Sequence, residues 1–133
     1  AGRVHVVDPV PPDSLHAWVA AADIVAMPIQ GTTLNHRLTT PNKLFEAMAA
    51  GVPVVATNLP GMARIVRATS CGVLCGEGTP AEIVRALRQL VDDPAARLAM
   101  GRRALEAAHG TYSWEEQADR LLEAYGQLTG QRW

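Results

Sequence analysis

Short apolar runs rich in β-branched residues alternate with longer stretches of helical spacing, and that alternation constrains the chain most. Residues 4–7 (VHVV), 23–28 (DIVAMP), 53–57 (PVVAT) and 72–75 (GVLC) read as strands, because each is short, apolar and bounded by turn residues. The second is nearly all apolar, which predicts burial on both faces. A first helix starts in residues 11–14, with Asp13 as its N-cap, and runs through Leu15, Trp18, Val19 and Ala22. Residues 41–50 form another, with Leu44, Phe45, Met48 and Ala49 on its apolar face and Gly51 as its stop. A short helix covers residues 62–68. Thr79 caps a helix in which Ile83, Val84, Leu87, Leu90 and Val91 recur at helical spacing. Residues 94–108 and 113–128 are helical too, the last opened by Ser113-x-x-Glu116 as a capping box. Residues 30–40 lack periodicity and read as a loop. Trp18, Phe45 and Trp114, at helical spacing, read as core. The sum is an α/β chain with a Rossmann-like parallel sheet, right-handed crossovers, flanking helices and two or three closing helices.

Composition narrows the function classes. A chain of 133 residues suits one domain, and 48% hydrophobic against 19% charged residues describes a globular one. The formal net charge of −1 argues against nonspecific nucleic-acid binding, which needs a surplus of cations to displace phosphate counterions. No apolar run approaches the ~20 residues of a membrane span. Cys71 and Cys75 stand alone, without a second pair or suitably spaced histidines, so they read as inert thiols and no metal site is expected. The lack of a disulfide framework points to the cytoplasm.

The candidate site lies where residues 30–40 feed the helix over residues 41–50. Eleven residues are long for a strand-to-helix connection, and ligands of open parallel sheets sit at such carboxyl-end loops. With Thr40 as N-cap and Pro41 at the first helical position, the amides of Asn42, Lys43 and Leu44 have no intrahelical acceptor. They would face the crevice as donors, where the helix dipole favours an anion by up to ~2 kcal/mol. Lys43 adds a cation at the same end. Glu46 follows Asn42 by four residues, on the same face and about 6 Å further along the axis. A diphosphate on the amides and a ribose on the carboxylate would suit that spacing. The same residues also fit a plainer reading, in which Glu46 complements the dipole or pairs with Lys43 on the surface. Neither G-x-G-x-x-G nor a Walker lysine motif occurs.

The sequence WVAAADIVAMPI from Trp18, then PNKLFEAMAAGVPVVAT from Pro41, resembles the C-terminal, donor-binding domain of retaining, two-domain (GT-B) glycosyltransferases of family four, group 1. The likeness continues through Pro60-Gly61, Ile65-Val66, Gly72-Val73-Leu74 and Tyr112-Ser113-Trp114-Glu115, nearly the whole chain. It implies that the helix opened by Asn42, Lys43 and Leu44 holds the donor diphosphate, and that Glu46 binds the ribose. A glutamate that the family commonly places eight residues earlier is Leu38 here, while Pro41-x-Lys43-x-x-Glu46 follows a variant form of the motif. Asn35, Thr39, Thr40 or Gly61 would then meet the donor sugar, although Thr40 serves equally as a cap and Pro60-Gly61 equally as structure. Arg64 and Arg67 read as solvated surface.

The resemblance further implies that residues 1–133 are one partial domain, lacking the N-terminal acceptor domain and the first two strand–helix units. The strand over residues 4–7 would then not neighbour the strand over residues 23–28, and the fragment would be poorly stable alone. The basic residues that neutralise the leaving diphosphate, and with them catalysis, would lie outside the chain. The implied reaction transfers a glycosyl group from a nucleotide-diphosphate sugar to an acceptor with retention, without metal or cofactor. The implied setting is cytoplasmic, with a peripheral membrane contact left open for the intact enzyme. A noncatalytic α/β module binding a nucleotide or partner is the alternative, favoured by Leu38; a sugar-nucleotide epimerase is a weaker third.

Overall fold

Three parallel strands, β1 (Val25–Met27), β2 (Val54–Thr57) and β3 (Gly72–Cys75), form an open sheet in the order β1-β2-β3 in the computed structural model, which describes residues 2–130. Val25 pairs with Val54, and Val54 with Gly72, so the strands advance in step. Seven helices are described: α1 (Pro12–Ala20), α2 (Leu34–Leu38), α3 (Asn42–Ala49), α4 (Pro60–Thr69), α5 (Pro80–Val91), α6 (Pro94–His109) and α7 (Trp114–Thr129).

β2 is the central strand, and all four of its residues are buried. Alternation sends Val54 and Ala56 into one core with Met27, Leu44, Met48, Met62, Ile65 and Ala104. Val55 faces the other way, onto Cys75, Ala86 and Leu90 of a smaller core. Helices therefore cover both faces of the sheet, and each fully buried Leu, Ile or Met contributes roughly 1.5–3 kcal/mol. Helix ends follow local chemistry. Gly51 (φ 68°) stops α3 in a left-handed turn, with Val52 N–H donating to Ala47 O and Gly51 N–H to Met48 O. Thr79 and Glu82 cap α5 reciprocally, and Asp93 Oδ1 accepts from Ala96 N–H at the start of α6.

Several expectations need correction. Residues 4–7 form no strand; Val4, Val6 and Val7 are exposed, because no neighbouring strand offers them a ladder among the described residues. α1 starts at Pro12, whose fixed φ suits the first helical position, so Asp13 sits inside the first turn and caps nothing. β1 is buried only at Met27; lying at the sheet edge, it leaves Ala26 exposed. The expected loop contains α2, because Thr33 accepts from His36 N–H and so nucleates a short helix. α4 runs from Pro60 to Thr69, longer than residues 62–68, again from a proline at the first helical position. Trp18 and Trp114 are not core: both are exposed, on helices without a single buried residue and with no opposing layer among the described residues. Phe45 does pack, tilted on Tyr112 at 5.8 Å between ring centroids. Ser113 accepts from Glu116 N–H, but the capping box is half made, since the Glu116 carboxylate turns to Arg120 at 3.0 Å.

Candidate functional site at the strand ends

A crevice of about 510 Å³ opens at the carboxyl ends of the strands. Its walls are the residues that leave each strand: Gln30, Gly31 and Thr32 after β1, residues 58–60 after β2, and Gly76 and Glu77 after β3, with Arg37 of α2. Gln30, Gly31, Thr32 and Arg37 fall in the loop expected at the site and Pro60 in the Pro60-Gly61 pair, whereas Asn58, Leu59, Gly76 and Glu77 were not singled out; the signal that finds them is position, the first residues past each parallel strand. The amide of Gln30 donates to Gly78 O at 3.3 Å, and Asn58 Oδ1 accepts from Arg67 Nη2 at 2.7 Å, so both walls are braced. Arg67 is thus held beside the crevice, and both it and Arg64 are exposed.

α3 starts at the same edge of the sheet, since a crossover between parallel strands β1 and β2 brings its N-terminus there. The helices after the strands are finished differently. Thr33 caps α2 and Thr79 caps α5, whereas α3 and α4 follow Pro41 and Leu59 without a side-chain cap. Thr40 is therefore not the N-cap: Pro41 takes that place with an extended backbone (ψ 144°), and Thr40 falls outside the helix. The expected trio of free amides is also reduced, because Leu44 N–H donates to Pro41 O at 2.9 Å. Asn42 and Lys43 remain, both exposed, and neither amide meets an acceptor among the described residues. The Glu46 carboxylate, half-buried one turn on, has no hydrogen-bond or ion-pair partner among the described residues, Lys43 included.

Of the sugar candidates, Asn35 and Thr40 are exposed and Thr39 is half-buried; none lines the crevice. Gly61 is occupied otherwise. A Cβ there would stand 2.6 Å from Leu38 O and collide with Thr39 O, so its bare backbone seats α4 against the end of α2. Cys71 and Cys75 are free, buried thiols, both pushed above the usual thiol range by desolvation.

Residues 1–93 match the family described as "Glycosyl transferases group 1". The chain belongs to that family. Relatives of this group 1 glycosyltransferase domain include a D-inositol 3-phosphate glycosyltransferase 1 of Catenulispora acidiphila, 37% identical over 92% of the chain. Similar too are D-inositol 3-phosphate glycosyltransferases of Corynebacterium diphtheriae, 36% identical over 95% of the chain, and Rhodococcus opacus, 34% identical over 97%. The chain spans 28%, 28% and 27% of the lengths of these three proteins. No helix among the described residues of the group 1 domain is long and apolar enough to cross a membrane.

Proposed function

We propose that this group 1 domain binds the nucleotide-diphosphate sugar of a glycosyltransferase, which moves the glycosyl group to an acceptor with retained configuration and without a metal. The observation that carries the reading is the uncapped start of α3, where among the described residues the Asn42 and Lys43 amides lack acceptors and the Glu46 carboxylate, one turn later, lacks a partner. Two free amides, the helix dipole and the Lys43 ammonium favour the diphosphate. Glu46 accepts both ribose hydroxyls, in charge-assisted bonds worth about 1.5–3 kcal/mol each. The chain spans 28% of two of its relatives, and the groups that bind the acceptor and neutralise the leaving diphosphate are assigned to the remainder of that length. The two free thiols, Cys71 and Cys75, support a cytoplasmic setting. Because these relatives are named D-inositol 3-phosphate glycosyltransferases, D-inositol 3-phosphate is the acceptor to test first.

Titration with UDP, GDP and ADP, followed through backbone amide resonances, tests the site: shifts centred on Asn42 and Lys43 are expected. Glu46→Ala should weaken the bound nucleoside diphosphate about tenfold or more and leave inorganic pyrophosphate unchanged. Equal losses for both ligands would remove the ribose role, and shifts confined to other elements would remove the site.

A further inference from the structure

The strand-end crevice carries a cation whose position is built into the loop, and we propose that Arg37 there reads a carboxylate on the transferred sugar, making the donor a nucleotide-diphosphate uronic acid. The inference rests on the donor reading of α3 and specifies its sugar. α2 is tied at both ends. Thr33 Oγ1 accepts from His36 N–H at 3.1 Å, and Thr32 Oγ1 lies 3.0 Å from His36 Nδ1. At the other end the carbonyls of Leu38 and Thr39 bear on Gly61. The stem of Arg37 lies along Gly31, where a Cβ would come within 3.5 Å of Arg37 Cγ and 2.8 Å of Leu59 Cδ2. A side chain at residue 31 would disturb that bed.

The other cation near the crevice is engaged, Arg67 donating to Asn58. Arg37 has no ion-pair or hydrogen-bond partner among the described residues, although Glu77 borders the same crevice. From residue 24 to residue 45 the sequence holds no Asp or Glu, while Arg37 and Lys43 both fall in it, so the segment from β1 into α3 is uniformly hospitable to anions. Only Thr40 and Pro41 lie between Asn42 at the free amides and Thr39, whose carbonyl bears on Gly61 next to the crevice-lining Pro60, so a sugar joined to the diphosphate can reach inward. A neutral hexose would offer the guanidinium only hydroxyls. A carboxylate matches its planar fork in two parallel bonds. Glu77, Gln30 and Asn58 are left to the hydroxyls of the ring.

Calorimetric titration of the chain at pH 7 and low salt tests this, with UDP, GDP and ADP, the pairs UDP-glucose/UDP-glucuronate and GDP-mannose/GDP-mannuronate, and free glucuronate. Within the pair whose base is accepted, the uronate should bind about tenfold more tightly. Arg37→Gln should abolish that preference while leaving the nucleoside diphosphate affinity unchanged, and Arg37→Lys should keep part of it. Circular dichroism of both variants should match the parent, since Arg37 is exposed. Equal affinity for both members of a pair, or a preference that survives Arg37→Gln, overturns the inference while the donor site stands. Free glucuronate bound as tightly as the nucleotide uronate would assign the carboxylate to another source and also overturn it. If none of UDP, GDP and ADP binds, the donor reading itself fails, and this inference with it.

Discussion

Gly101 of α6 lies against the carbonyl oxygen of Gly51, so closely that a Cβ on Gly101 would collide with that oxygen and come within 3.6 Å of Pro53 Cδ. The contact locks α6 onto the residue that ends α3, and thereby sets how α3 stands over the sheet. Gly101→Ala should force the two helices apart and destabilise the fold by about 1–3 kcal/mol. Urea denaturation would show this as a lower midpoint; an unchanged midpoint would mean the helices yield freely.

Gly61→Ala tests the second close approach, of α4 onto the carbonyls of Leu38 and Thr39. Backbone cannot retreat as a flexible side chain does, so a loss of about 1–3 kcal/mol is expected. The amide resonances of α2 and of Asn42 and Lys43 should move with it. Changes confined to α4 would show that the strand-end loop is not seated by this contact.

The capping box of α5 makes stability depend on pH. Glu82 accepts from Thr79 N–H at 3.0 Å and Thr79 Oγ1–H at 2.8 Å, and these bonds hold its pKa below the usual glutamate value. A folded-state pKa lower than the unfolded one contributes stability that is fully present above about pH 4.3 and is lost as pH falls through the folded value. Glu82→Ala should therefore lower the denaturation midpoint at pH 7 more than at pH 3. An equal difference at both pH values would detach the cap from the ionised carboxylate.

Cys71 and Cys75 are buried, and desolvation raises both thiols. Because the thiolate is the reactive form, neither should react with a thiol reagent at pH 8 in the folded chain, and both should react in denaturant. The sign at high pH follows: the folded pKa lies above the unfolded one, so the thiols' contribution is complete below about pH 8.5 and is lost as pH rises beyond it. Rapid labelling of the native chain would contradict the burial.

Most of the elements were legible one by one, because period and punctuation are local. The chain 72–75 reads as β3, Thr79 as the cap of α5, and residues 41–50 as α3 within a residue at each end. The start of α3 at Asn42, with Glu46 one turn on, was legible too, as a spacing. Its details were not: whether Pro41 or Thr40 holds the N-cap turns on one backbone angle, and that choice also decides whether the Leu44 amide is free.

By itself the sequence determined the three strands of the sheet, the caps Thr79 of α5 and Ser113 of α7 and the apolar face of α3, because these depend on residues within one or two turns of each other. Tertiary structure alone decided that Trp18 and Trp114 face outward, since an apolar face is buried only by a partner distant in the chain. It also decided which loops meet at the crevice, because residues 30–32, 37, 58–60 and 76–77 are joined by parallel strand pairing and by nothing in their order.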